Sequence, residues 1–170
     1  MSTPTPAPIL RDATPDDLEA INEIYNHFVG YCTCTYQEKP ESIEDRRHWF
    51  ASHDAQHPVL VGEIDGKVVG WASLSRFHAR SAYRYTVEDS IYIHPIAQGK
   101  GLGRMMIEEL IRRARALGHR SMVAGIDALQ EGSLALHERA GFVRVGHLKQ
   151  VGFKFGRWLD VIYMQLELKG

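Results

Sequence analysis

The chain has 170 residues, 44% of them hydrophobic and 24% charged, with a formal net charge of −1. Such a length and composition suit one soluble domain with a sizeable core. The near-neutral balance gives no general attraction to nucleic acid or to an acidic membrane surface, and no apolar run approaches the roughly 20 residues that a spanning helix needs.

Residues 1–8 are rich in Ser, Thr and Pro and carry no apolar core, so a frayed tail is expected there rather than a secretory signal. The folded domain is expected over 9–168. Residues 9–13 read as a first strand. Thr14 suits a helix N-cap, with Pro15 at the first helical position and Asp16 and Asp17 in the first turn. Leu18, Ile21, Ile24, Tyr25 and Phe28 then share one helical face, and Gly30 ends it. The irregular or extended stretch 31–40 holds the only cysteines, Cys32 and Cys34. A Cys-x-Cys pair can bind metal or close a disulfide, but two thiolates fall short of the four ligands of a zinc site. They read as two reduced thiols of a cytoplasmic enzyme. Ser42 is placed to cap a second helix. Asp45, three residues on, is shorter than the Glu or Gln of a full capping box, which predicts a partial cap. Trp49 and Phe50 should face the core. His53 and His57 are four apart but lack the Glu of a zinc-protease helix, and Pro58 follows at once. No metal is expected.

Residues 58–64 and 67–74 read as strands, and Asp65-Gly66 between them is a strong hairpin signal. Residues 84–93 form a further strand ending in Ile91-Tyr92-Ile93, stopped by Pro95. Then comes Gln98-Gly99-Lys100-Gly101-Leu102-Gly103-Arg104, which runs into a helix with Ile107, Leu110, Ile111, Ala114 and Leu117 at near-helical spacing. Gly118 stops that helix. Residues 120–126 form a strand, expected to be parallel to 84–93 because a helix connects them. A short helix over 132–140 and two long strands, 142–151 and 158–168, close the chain. The order predicts one mixed α/β domain without repeats.

The glycine turn has a chemical consequence. The first amides of a helix lack internal partners and carry the positive end of its dipole, so residues 98–104 form a candidate phosphate cradle. A nucleotide P-loop would need Ser or Thr after Lys100, where Gly101 stands. A dinucleotide fingerprint would need Gly at Arg104.

The turn does resemble the Gln/Arg-x-x-Gly-x-Gly turn of the GCN5-related N-acetyltransferases (GNAT), with Gln98 at its head. The element order is similar along nearly the whole chain, and Leu136-His137-Glu138-Arg139-Ala140-Gly141-Phe142 resembles the family's Leu-Tyr-x-x-x-Gly-Phe helix end, with His in place of Tyr. Two stretches resemble the phosphinothricin and methionine sulfoximine acetyltransferase branch: Gly152-Phe153-Lys154-Phe155-Gly156-Arg157-Trp158-Leu159-Asp160, and Arg80-Ser81-Ala82-Tyr83 with Thr86-Val87-Glu88 following. The resemblance implies the GNAT fold, a mostly antiparallel twisted sheet flanked by helices. It also implies acetyl-CoA as co-substrate, a small amino-acid-like amine as acceptor, and a homodimer.

Acetyl transfer needs a neutral amine, a polarised thioester carbonyl and a protonated leaving thiol. Glu88 is the expected base, set among Tyr83, Tyr85, Val87 and Tyr92, where burial would raise its pKa. Asp89 is the nearby competitor for that role and should point to the opposite face. The resemblance implies that His137 reprotonates the CoA thiolate. It further implies that Ile91, Tyr92 and Ile93 border the cofactor, with the N–H of Ile93 or its neighbour on the thioester. Residues Gln98, Gly99, Lys100, Gly101, Leu102, Gly103 and Arg104 are expected at the pyrophosphate. Gln130 stands where relatives place an Asn that bonds the pantetheine arm. Arg80, Tyr83, Tyr36 and Lys154 are the expected acceptor contacts. Two other readings stay open: a protein or N-terminal acetyltransferase of the same fold, and a non-catalytic acyl-CoA-binding module.

Overall fold

Alternating residues of the central strands send side chains to two faces of one sheet, and each face is covered by its own pair of helices. The computed structural model describes residues 6–169. The first five residues of the expected tail therefore lie outside the described residues. Seven strands, β1 (Ile9–Asp12), β2 (Val59–Ile64), β3 (Lys67–Arg76), β4 (Thr86–Ile93), β5 (Ser121–Asp127), β6 (Val143–Lys154) and β7 (Arg157–Glu167), run in the order β1-β2-β3-β4-β5-β7-β6. All neighbours are antiparallel except β4 and β5. The helices are α1 (Leu18–Val29), α2 (Ile43–Ala51), α3 (Leu102–Ala116) and α4 (Glu131–Arg139). Among the described residues no helix is long and apolar enough to cross a membrane.

The larger core packs α3 and α4 against Leu60, Leu74, Val87, Met122 and Met164. The smaller one packs α1 against Val59, Val61 and Trp71 on the other face. Helix α2 carries little apolar surface of its own. Its anchor is Arg46, 2% exposed, whose guanidinium lies 4.7 Å from the Tyr25 ring centre and 4.6 Å from that of Trp49. Glu41 neutralises it at 2.6 Å. A buried charge is tolerable when it is paired and stacked in this way.

Local signals set the element ends. Asp65 and Gly66 both have positive φ, as a tight two-residue hairpin turn requires. The cap of α2 is fuller than its sequence suggests. Ser42 Oγ accepts from the Asp45 amide at 3.1 Å, and Asp45 Oδ2 accepts from the Ser42 amide at 3.0 Å. The shorter acid thus closes the reciprocal box. Gly62 and Gly70, facing each other in β2 and β3, leave a notch for α3. A Cβ on Gly62 would lie 2.7 Å from Leu102 Cδ1 and 2.8 Å from Met106 Cε. The expectation of two reduced thiols is corrected: Cys32 and Cys34 are joined as a disulfide, their Cα atoms 5.3 Å apart in the turn after α1.

Candidate active site

Strands β4 and β5 pair over only three positions, Thr86–Ser121, Val87–Met122 and Glu88–Val123. Beyond Glu88 they part. β4 goes on to Ile93 bonded to β3 alone, and β5 to Asp127 bonded to β7 alone. The parting leaves a wedge in the middle of the sheet, which the connection through α3 makes possible.

Glu88 stands where the wedge opens. It lines a cavity of about 230 Å³ together with Thr33, Cys34, Tyr36, Gly125 and Asp127. Its carboxylate has no hydrogen-bond partner among the described residues. Burial, helped by the nearby charge of Asp89, pushes its pKa above the ordinary Glu value. Gly125, directly opposite, keeps the cavity open: a Cβ there would already touch Glu88 Oε1 at 3.5 Å and Tyr163 Cε1 at 3.4 Å.

The other wall is the segment 31–36, fastened from three strands. Asp127, buried at the end of β5, accepts from Thr33 Oγ1 at 3.0 Å and from the Tyr36 hydroxyl at 2.7 Å. The Tyr36 hydroxyl also lies 3.1 Å from the Asp160 carbonyl of β7. Burial and the Asp127 carboxylate push its pKa up. Tyr36 therefore borders the cavity through its ring, which packs over Gly152. A Cβ on Gly152 would meet that ring at 2.5 Å. Lys154, expected at the acceptor, stands behind this wall. It is 3% exposed and donates to the carbonyls of Cys32 (2.8 Å) and Thr35 (2.7 Å), lining neither of the two cavities described here. It holds the wall from behind, and burial lowers its pKa. Gln130, expected at the pantetheine, instead donates to Thr33 Oγ1 at 3.1 Å. Sequence reasoning missed Asp127 as the centre of this network. Its position four residues before the Glu131 start of α4 was the available signal.

On the opposite side of the wedge, Gly99 (φ 72°) and Gly101 (φ 84°) turn the chain into α3. Nothing lies within 4 Å of a Cβ built on either, so the turn is open. The first helical bond runs from the Met105 amide to the Gly101 carbonyl, leaving the amides of residues 102–104 outside the helical ladder. These are the groups that suit an anion. The side chains do other work. Gln98 donates to the Ile93 carbonyl at 3.0 Å, tying the turn to β4, and Leu102 is buried in the core. Arg104 pairs with Glu108 at 2.7 Å, while Lys100 is exposed. Gly103 gives close packing against Ile93, with 3.2 Å between a built Cβ and Ile93 Cδ1. Ile91 and Ile93 pack on the larger core, whereas Tyr92 faces the other side, stacked on Trp71 at 4.9 Å with its hydroxyl donating to the Cys34 carbonyl.

His137 is buried and both ring nitrogens are engaged. Nδ1 meets the Ser133 carbonyl at 2.7 Å and Nε2 meets Asp89 Oδ2 at 3.0 Å. Burial pulls its pKa down, but the Asp89 carboxylate and the Ser133 carbonyl outweigh that, and the pKa lies above the ordinary value. Arg80 and Tyr83 stand apart from Glu88. They line a second cavity of about 430 Å³ with Arg76, His78, Arg84 and Thr86. Thr86 shares the face of Glu88 two residues earlier on β4, so the two cavities lie on one side of the sheet. The structure thus brings Glu88 and Tyr36 together and leaves Arg80 and Tyr83 in the neighbouring basic cavity. No group of side chains suited to a metal ion occurs among the described residues.

Comparison with known proteins gives the family and the fold. The family model described as "Acetyltransferase (GNAT) family" matches residues 21–142. The chain is 45% identical over 160 residues to the L-amino acid N-acyltransferase MnaT of Escherichia coli, covering 94% of this chain and 93% of that one. It is 42% identical over 160 residues to the L-methionine sulfoximine/L-methionine sulfone acetyltransferase of Salmonella typhimurium, covering 94% of each. The phosphinothricin acetyltransferase of Sinorhizobium meliloti, solved in complex with acetyl-CoA, superimposes with a TM-score of 0.91 at 42% identity, over 94% of this chain and 88% of that one.

Proposed function

The chain belongs to the acetyltransferase (GNAT) family, and from that premise we propose that it transfers acetyl from acetyl-CoA directly to the amino group of a small amino-acid-like acceptor of the methionine sulfoximine or phosphinothricin type. The observation that carries this reading is Glu88: an unpartnered, partly desolvated carboxylate at the point where β4 and β5 separate, facing a cavity.

The open turn fits acetyl-CoA. The free amides of residues 102–104 suit its pyrophosphate, and Lys100 adds a cation beside them. The wedge beyond Glu88 suits the pantetheine arm, with the β4 backbone at residues 91–93 along its edge. Acetyl-CoA supplies the activated acyl group. Glu88 takes a proton from the acceptor ammonium, the neutral nitrogen so formed bonds to the acetyl carbon and sheds a second proton to solvent, and the carbon–sulfur bond breaks. The proton that completes the thiol comes from the His137 side of β4. In the basic cavity Arg76 is already paired with Asp54 at 3.2 Å, so Arg80 and Arg84 suit the carboxylate or phosphinate end of the acceptor, and Tyr83 gives it a ring wall. The names of the relatives support the acceptor class. Exposed Val151, Phe153, Phe155 and Trp158 on the β6–β7 hairpin support a homodimer, which light scattering would test.

Thiol release from acetyl-CoA tests the reading. Release is expected with methionine sulfoximine, phosphinothricin and methionine sulfone, and not with peptides. Release with peptides alone would replace it by a protein-directed activity; bound coenzyme with no turnover on any amine would replace it by a binding module.

A further inference from the structure

An ordinary histidine is mostly neutral near pH 7 and makes a poor proton donor there. His137 is placed to escape that limit. The Ser133 carbonyl can only accept, so Nδ1 carries a proton. Nε2 faces Asp89 Oδ2, and a second ring proton makes this contact a charge-assisted bond. The two side chains are 4% and 2% exposed, so solvent does little to relieve an unprotonated contact between a lone pair and a carboxylate.

Asp89 also borders the reaction space, its side chain turned to the other face of β4, toward His137. It lines the cavity that Glu88 lines, at the first position beyond the last β4–β5 pair. Its second oxygen, Oδ1, is buried without a hydrogen-bond partner among the described residues. Such an orphaned acceptor is costly in a structure and calls for a reason. We propose that Asp89 is a positioning residue for the transfer: its buried carboxylate keeps His137 doubly protonated and its ring fixed against β4, so that the pair enters each turnover loaded with the proton for the leaving thiolate. The proposal rests on the acetyl-transfer reading above. In the step itself the Nε2–H group exchanges its Asp89 acceptor for the thiolate sulfur; the Nε2–H bond then breaks and the S–H bond forms. His137 is left neutral with its proton on Nδ1, facing the Asp89 carboxylate. That lone-pair contact favours reloading from solvent, to which Glu88 releases the proton it took from the amine, so one proton is taken up and one is given back in each cycle.

The surroundings of His137 leave Asp89 as the group that sets its charge. Its own helix offers the Ser133 carbonyl, and the segment before β6 offers the Phe142 ring, edge-on at 5.0 Å. Asp89 is the charged group that acts on it, from β4. Glu88 faces the other side of that strand and is itself coupled to Asp89.

Two measurements test this. In the wild-type enzyme labelled with ¹⁵N-histidine, the His137 ring nitrogens should both remain protonated at a pH where the exposed histidines have become neutral. In Asp89→Asn, the ring should lose its second proton at least about one pH unit lower. The high-pH limb of kcat, measured with acetyl-CoA and methionine sulfoximine, should move down with it. At mildly alkaline pH, kcat should fall at least about tenfold while the KM for acetyl-CoA stays within about threefold. Asp89→Glu should recover part of both. A wild-type His137 that titrates like an exposed imidazole overturns the proposal, even if no Asp89 variant folds. An unmoved limb in a folded Asp89→Asn also overturns it. Failure of acetylation on every amine would instead strike the acetyl-transfer reading, because the nitrogen titration needs no turnover.

Discussion

The two sides of the wedge between β4 and β5 are built by different means. The α3 side is made of backbone: a run of seven residues, two positive-φ glycines and the unpaired amides at one helix start. The acceptor side is made of side chains drawn from the whole chain. Residues 33–36 are held by Asp127 of β5, by Lys154 of β6, and by the Asp160 carbonyl of β7. On the proposed reading, the first kind of wall meets a group common to every turnover, and a site made of backbone amides should tolerate changes in its side chains. The second kind depends on contacts far apart in sequence, and one altered residue can displace it.

This contrast can be pressed experimentally. The largest effect is expected at the junction of the two walls. Glu88→Gln should lower kcat by about a hundredfold and leave the KM for acetyl-CoA nearly unchanged, as steady-state kinetics would show. The sign of the pH dependence follows from the same residue. A base works only when ionised, and burial raises this carboxyl's pKa, so wild-type kcat/KM for the acceptor should begin to fall, as pH is lowered, above the ordinary Glu range. That acid limb should vanish in the variant.

Next comes Gly152→Ala. The added carbon would meet the Tyr36 ring at 2.5 Å, and a rigid ring cannot yield cheaply. The acceptor KM should rise about tenfold, with a loss of about 1–3 kcal/mol in denaturant unfolding. Acetyl-CoA binding should be spared, which would separate the walls cleanly. Gly101→Ala probes the other side. It places a side chain at φ 84°, at a strain of about 1–2 kcal/mol, and calorimetry should find weaker CoA binding with the acceptor KM little changed. The smallest effect is expected for Arg104→Ala. Its guanidinium is 79% exposed and already paired with Glu108, so CoA affinity should change by about twofold or less. A large loss there would mean that the cradle relies on side chains after all.

The same contrast explains what could be read from the sequence. Residues 98–104, the Asp65-Gly66 hairpin and the caps at Thr14 and Ser42 are local, and spacing alone suffices to place them. The parallel pairing of β4 and β5 followed from a helix joining two strands. Lys154 and Gln130 went elsewhere than expected because a motif gives a residue's place in the chain but not the partner that captures its polar atom. Each found one in the segment 32–35, more than 90 residues away in sequence. Asp127 and the notch at Gly62 and Gly70 gave no local sign, since their meaning lies in what packs opposite them. The cysteine pair was misjudged for a related reason: its closure depends on the turn after α1, which the irregular composition of 31–40 does not specify.

The fastening of the acceptor wall by the last hairpin has a consequence for biosynthesis. A ribosome releases the glycine turn and α3 well before it releases Gly152, Lys154 and Asp160. A nascent chain halted after α4 would hold every residue of the coenzyme cradle while Tyr36 still lacked its floor and the 32–35 carbonyls their ammonium. If that wall holds the acceptor as proposed, selectivity for the amine is the last property this polypeptide acquires as it emerges.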